Sequence, residues 1–231
     1  MLTEPIANKI AQAGGAVTVN AKVTKLVVAH GRIQRVRVND ETDYPCDYVI
    51  MAASLGPAHH LIQSSCLEHA FPGLLSLPSM PEVNLQLEFS APTWPVDGTV
   101  FGVGTSLITF TEQSRTTFQG KAGRLSIILT PPDKIISMED EEIFEIFKRD
   151  APPLGIDAGH VTGYRVIRHP ADFYLLSPHM NKLRPKTSTP VEGLFLAGDY
   201  VRQSFMATME GAIISGNNAA REIRMAEQAR G

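Results

Sequence analysis

Gly193-Leu-Phe-Leu-Ala-Gly-Asp-Tyr200, followed six residues later by Ala207-Thr-Met-Glu-Gly-Ala-Ile-Ile-Ser-Gly216, decides how this chain folds. Leu194 to Leu196 is a short apolar run next to glycine, the pattern of a strand covered on both faces. Gly198 ends it, and a residue with no Cβ lets the backbone pass close to a ligand. Asp199 then stands at the carboxyl end of a strand. Open α/β sheets bind ligands there, and a carboxylate in that place accepts hydrogen bonds from sugar or ribityl hydroxyls or helps hold a hydrated pyrophosphate. A strand-end turn with a capping aspartate is the competing reading. Thr208 suits an N-cap for a helix opening on Met209, Glu210 and Gly211, whose free N–H groups can stabilise negative charge. Met209, Ala212, Ile213, Gly216, Ala220 and Ile223 share one face at helical spacing, and its small residues allow close approach to a sheet or cofactor. A tightly packed C-terminal helix without a ligand fits the same residues.

Working outward, Pro5 to Gln12 reads as a helix stopped by Gly14-Gly15. Val17 to Asn20 and Val23 to Val28 read as strands, and His30-Gly31 as a turn into a strand over Ile33 to Val38. Asp47 to Ala53 has the look of a central parallel strand, with a loop over Ser54 to Pro57 and a helix over Ala58 to Leu67. Val83 to Phe89 alternates without a fault, which places Val83, Leu85, Leu87 and Phe89 on the buried face of a half-exposed antiparallel sheet. Val100 to Val103, Leu107 to Phe110 and Leu125 to Leu129 supply further strands of it. Met138 to Lys148 is a helix with Glu139 to Glu142 in its first turn, where the macrodipole favours acids. Val161 to His169 is a strand, leading to an irregular, proline-punctuated stretch from Pro170 to Pro190.

The chain has 231 residues, 43% hydrophobic and 19% charged, with a formal net charge of −3 and no block of like charge. This is the composition of a globular protein with neither a nucleic-acid footprint nor an acidic tail, and it suits small neutral or apolar ligands. Only Cys46 and Cys66 occur, so no disulfide framework or zinc site is expected and both thiols are expected in the core of a cytoplasmic protein. No run approaches the length needed for a transmembrane segment, leaving peripheral membrane contact as the most that is expected. His59-His60 with Cys66 lacks a metal spacing. The other histidines match no nucleophilic triad. Trp94, between Pro92 and Pro95, reads as a loop anchor or as an aromatic at the edge of an apolar cavity.

The terminal segment, with its Leu-Ala-Gly-Asp-Tyr and Met-Ala-Thr-Met-Glu-Gly-Ala runs, resembles the C-terminal flavin-binding signature of the FAD-dependent amine oxidase superfamily, in the form of its carotenoid (phytoene) desaturase-like branch. Ile10 to Val38, Cys46 to Ala53 and His169-Pro-Ala-Asp-Phe with Arg184-Pro185 resemble other parts of that family, so the resemblance covers essentially the whole chain. It implies FAD as cofactor, with Val23 at the position whose backbone contacts adenine. It implies Gly198 and Asp199 against the pyrophosphate and ribityl chain, and Met209 with Glu210, Gly211 and Ala212 at the helix start beneath the isoalloxazine. Ala53, Ser54 and Pro57 match a loop near the cofactor. In this family the flavin takes a hydride from substrate, so the chain is expected to position and tune rather than supply a nucleophile, and no catalytic side chain is assigned.

Members of the family begin with a βαβ unit carrying G-x-G-x-x-G, and nothing here matches it. Gly14-Gly15 and Gly102-Val-Gly104 read as turns. The expected fold is therefore mixed α/β: an incomplete, discontinuous FAD-binding Rossmann-like layer (residues 1–75 and 188–231) and an antiparallel-sheet substrate region (76–187). The expected activity is hydride transfer from an apolar or amine substrate to flavin, with the N-terminal dinucleotide-binding half on a partner chain or absent. The alternatives are a non-catalytic remnant or interaction module without flavin, and a truncated gene model.

Overall fold

The computed structural model describes residues 3–120 and 122–229, apart from the side chain of Asp172. In chain order the elements are α1 (Thr3–Gln12), β1 (Val23–Ala29), β2 (Arg32–Val38), β3 (Thr42–Pro45), β4 (Val49–Met51), α2 (Leu55–Ser64), α3 (Pro72–Leu75) and β5 (Ser79–Phe89). There follow β6 (Gly98–Phe101), β7 (Leu107–Glu112), β8 (Gly123–Leu129), α4 (Pro132–Ile135), α5 (Asp140–Asp150), β9 (Val161–Tyr174), β10 (Leu194–Leu196) and α6 (Met209–Gln228). They form two compact units. The first takes the described residues of Met1–Ala53, Pro57–Ser76 and Asn181–Gly231; the second takes Ser54–Gly56 and those of Leu77–Met180.

In the first unit, α1 ends in a Schellman motif: Gly14 is left-handed (φ 81°), and the Gly15 N–H donates to the Ile10 carbonyl at 2.9 Å. Val17 to Asn20 is not a strand, because nothing pairs with it among the described residues. β1 and β2 form a hairpin whose two turn residues, His30 (φ 52°) and Gly31 (φ 72°), both have positive φ, as a type I′ turn requires. Asn39 and Asp40, also left-handed, turn β2 back into β3, a strand that the sequence pattern did not announce. β4 pairs in parallel with β10, Leu194 opposite Val49 and Leu196 opposite Met51. Gly193 (φ 80°) makes this entry possible, since a Cβ there would lie 2.6 Å from the Asp47 carbonyl oxygen. The far side of β10 is closed by residues 187 and 188, whereas β4 has no second strand among the described residues. The expected central strand is thus an open edge here.

The second unit is a five-stranded antiparallel sheet in the order β6-β7-β8-β5-β9. β5 holds the centre of its core: Val83, Leu85, Leu87 and Phe89 are all buried, with Phe110, Leu125 and Ile127 from neighbouring strands and Ile143 and Phe147 from α5. At the sequence level the alternation gives the facing; at the packing level α5 covers it. α5 begins two residues later than expected, because Glu139 is its N-cap and forms a capping box with Glu142. β9 runs five residues beyond the expected end and contains Pro170. It lies at the edge of the sheet, where the missing N–H of proline costs no ladder bond, and the register shifts between Met80 and Glu82 opposite it.

Both thiols depart from expectation. Cys46 is half-buried on the connection between β3 and β4, and Cys66 is exposed and left-handed (φ 58°) just beyond α2. Each lies on a connection rather than inside an element. Trp94 packs edge-on against Phe110, ring centroids 5.1 Å apart, at the border of the sheet core. No helix among the described residues is long and apolar enough to cross a membrane. No group of three or more His, Cys, Asp or Glu among them could hold a metal ion.

Candidate functional site

The three residues of β10 are wholly apolar and buried, so the strand stops where the chain needs to turn. It turns at Gly198, whose φ of 150° and crowded surroundings both demand glycine: a Cβ would meet the Tyr200 ring at 2.6 Å. Tyr200 is fully buried beneath it. Burial, and secondarily the charge of Asp199, push its phenol well above the ordinary range, and its hydroxyl has no hydrogen-bond partner among the described residues.

The loop from Asp199 to Thr208 leads into α6, where Thr208 is the N-cap and its hydroxyl accepts the Gly211 N–H at 3.1 Å. One of the three N–H groups read as available to a ligand is therefore used by the helix itself. Those of Met209 and Glu210 have no acceptor among the described residues. Nor is the N–H of Gly198 offered outward, because Ser215 Oγ accepts it at 2.7 Å. Gly211 is buried, and a Cβ on it would lie 2.3 Å from Gln203 Nε2.

The buried stripe of α6 is Gly211, Ser215 and Ala219, spaced by four, with Ile223 partly buried beside Ala219. This corrects the expected face. Met209 and Ile213 are 78% and 59% exposed, and Ala212, Gly216 and Ala220 are only half-buried. The hydrophobic residues that fixed the expected stripe point away from the unit's core, which small residues contact instead.

Gly198, Asp199, Gly211 and Ala212 are thus drawn together: Ser215 joins Gly198 to the Ala212 carbonyl, and Gln203 joins the Asp199 carbonyl to the surroundings of Gly211. Val23 opens β1 in the three-stranded sheet and is partly exposed; no hydrogen bond to that loop is found among the described residues. Ala53 lies between β4 and α2, and Pro57 sits in the first turn of α2.

Sequence reasoning gave no role to the side chains that shape the loop. Arg184, 5% exposed, sends its guanidinium to the carbonyls of Asp199, Tyr200, Val201 and Phe205. Gln203 donates to the Asp199 carbonyl at 3.2 Å and accepts the Phe205 N–H. A proline after Arg184 marked a connection, but a cation satisfied by loop carbonyls has no spacing that betrays it.

The fit to a flavin can be judged from these groups. A turn where only glycine is tolerated, beside N–H groups without an acceptor among the described residues at the start of a twenty-residue helix, fits an anionic or electron-rich part of FAD. Held there, the group would lie by Gly198, Asp199, Met209 and Glu210.

A profile of flavin containing amine oxidoreductases matches residues 1–224. A 15-cis-phytoene desaturase of Solanum lycopersicum is 26% identical over 235 residues, which cover 96% of this chain and 40% of that protein. A hydroxysqualene dehydroxylase of Sinorhizobium fredii is 27% identical over 225 residues, covering 95% and 49%. The crystal structure of an oxidoreductase from Methanosarcina mazei superposes with a TM-score of 0.71 at 16% identity, covering 93% of this chain and 52% of that one, a likeness of fold. The chain therefore spans about half the length of the relatives it matches. From the glycine turn, the helix start and a match along nearly its whole length, the chain belongs to the flavin containing amine oxidoreductase family, desaturase-like in its relatives, with FAD as the implied cofactor.

Proposed function

We propose that this chain forms the flavin-ring and substrate side of an FAD-dependent oxidoreductase that takes a hydride from an apolar or amine substrate, and that it works with an N-terminal dinucleotide-binding half. The observation that carries the reading is the Gly198 turn set beside the α6 N-terminus, with the Met209 and Glu210 N–H groups without an acceptor among the described residues. When bound, flavin supplies the hydride-accepting ring. The chain's own residues supply placement: Gly198 admits the ligand, Asp199 receives ribityl hydroxyls, and the α6 N–H groups stabilise developing negative charge.

The partner half is supported by two features. Relatives extend to about twice this length. β4 is the open edge of a two-stranded parallel sheet, and parallel sheets are ordinarily larger and covered on both faces. On this reading the chain is cytoplasmic, and contact with a membrane surface would give access to an apolar substrate.

One observation favours a substrate with a polar end over a bare hydrocarbon. The apolar face of the five-stranded sheet is buried against α5, and the other face bears Gln86, Ser126, Arg165 and a Glu88–Arg124 ion pair at 2.9 Å, around a groove of about 380 Å³. These charged and amide groups would bind a polar end, while Phe118 and Tyr164 in the same groove would take an apolar part.

The test is to express the chain alone and together with the coding sequence upstream of Met1 or any neighbouring frame carrying G-x-G-x-x-G, and to measure visible flavin absorbance. Flavin bound by the pair supports the reading. Colourless protein in both preparations, with no FAD taken up on titration, would leave the non-catalytic module as the better account.

A further inference from the structure

We propose that Arg184 is the positioning residue of the flavin-side loop: its guanidinium turns the carbonyls of Asp199, Tyr200, Val201 and Phe205 inward and so leaves the Tyr200 N–H facing away from it, toward an anionic ligand. The inference rests on the reading that this loop receives FAD.

The contacts form one cage. Nη2 donates to the Asp199 carbonyl at 3.0 Å and the Val201 carbonyl at 2.6 Å. Nη1 reaches the Phe205 carbonyl and Asn181 Oδ1, both at 3.3 Å, and Nε reaches the Tyr200 carbonyl at 3.3 Å. All three nitrogens are engaged by acceptors, four of them from a single loop. Only a planar group with five N–H donors can serve carbonyls spread over seven residues; the ammonium of lysine has three donors at one point.

Because a trans peptide is planar, its N–H points opposite to its carbonyl. With the Asp199 carbonyl held against Arg184, the N–H of Tyr200 is turned away from it, and that N–H has no acceptor among the described residues. The next two are used internally: Val201 N–H donates to the Gly198 carbonyl at 3.2 Å and Arg202 N–H to the Pro185 carbonyl at 2.8 Å. Arg184 therefore sets which edge of the Asp199–Tyr200 peptide is presented beside Gly198. The loop in turn holds the buried cation, since a guanidinium taken from water needs acceptors in its place and those carbonyls supply them.

The test has two arms. In the 231-residue chain, amide hydrogen exchange read by mass spectrometry is compared for wild type, Arg184→Ala, Arg184→Lys and the exposed-site control Arg202→Gln. Exchange of the peptide spanning residues 199–208 is expected to rise roughly tenfold or more in Arg184→Ala and less in Arg184→Lys. It should recover in part when ethylguanidinium is added to Arg184→Ala, with β5 and β8 unchanged throughout and Arg202→Gln like wild type. Should Arg184→Ala fail to fold, Arg184→Lys decides alone. Wild-type exchange in a folded Arg184 variant overturns the proposal. In the second arm, wild type and Arg184→Lys, each with the N-terminal half, are titrated with FAD. Affinity at least roughly tenfold weaker, with a changed visible flavin spectrum, is expected for the variant. Equal affinity and an identical spectrum overturn the proposal. Failure of the wild type to bind FAD defeats the functional reading instead, and the exchange arm still decides what Arg184 does.

Discussion

Ser215 Oγ accepts the Gly198 N–H and donates to the Ala212 carbonyl, each at 2.7 Å, so one hydroxyl fastens the end of β10 to the first turns of α6. Ser215 is fully buried. Its replacement by alanine removes both bonds and leaves the half-buried Gly198 N–H without its acceptor, which costs about 1 kcal/mol. A lower denaturation midpoint, with faster exchange of the Gly198 amide, is the expected result for Ser215→Ala; an unchanged midpoint would mean that the bond is not maintained in solution.

Gly198→Ala meets two obstacles, an unfavourable φ and a buried tyrosine ring 2.6 Å from the new methyl. We expect a loss of about 2–4 kcal/mol. Thermal melting checks it, and the double variant Gly198→Ala with Tyr200→Leu should recover part of the loss by freeing that space.

The Asp150 carboxylate ends α5, where the helix dipole disfavours it. The Arg149 guanidinium at 2.6 Å nevertheless holds its pKa at about 2, against the opposing effect of burial and with help from the Ser106 N–H at 2.7 Å. A depressed folded pKa means stabilisation that is present above the ordinary carboxylate value and lost as pH falls toward 2. The melting temperature of wild type should therefore drop between pH 4 and pH 2 more steeply than that of Asp150→Asn, as differential scanning fluorimetry over that range would register.

The two thiols should differ in reactivity. Cys66 is exposed, whereas burial and the neighbouring Asp47 charge raise the pKa of Cys46 and keep it protonated. Brief treatment with iodoacetamide is expected to modify Cys66 alone, as read by peptide mass spectrometry. Equal labelling of both would show that the β3–β4 connection opens readily.

Much of the fold was legible because burial wrote a period into the sequence. Val83 to Phe89 alternates strictly, and its four apolar members are the centre of the sheet core. Thr208 announced its helix by residue type alone and caps it as expected. Where the reading went astray, a global feature outweighed the local one. Pro170 suggested irregular chain, yet an edge position accommodates it. Met209 and Ile213 suggested a buried face, yet the small residues Gly211, Ser215 and Ala219 are what the unit's core can admit. The clamp on the loop was the least legible part, since Arg184 acts through carbonyls that any sequence would supply.

The ends of the five-stranded sheet carry a consequence for how copies of this protein meet one another. β6 is only four residues long, and β9 contains Pro170 and pairs irregularly with β5 beside it. A free strand arriving at β6 finds four residues to align with, and one arriving at β9 meets a proline without an N–H at residue 170. The backbone itself thereby shortens the run over which another strand could extend this sheet at either edge.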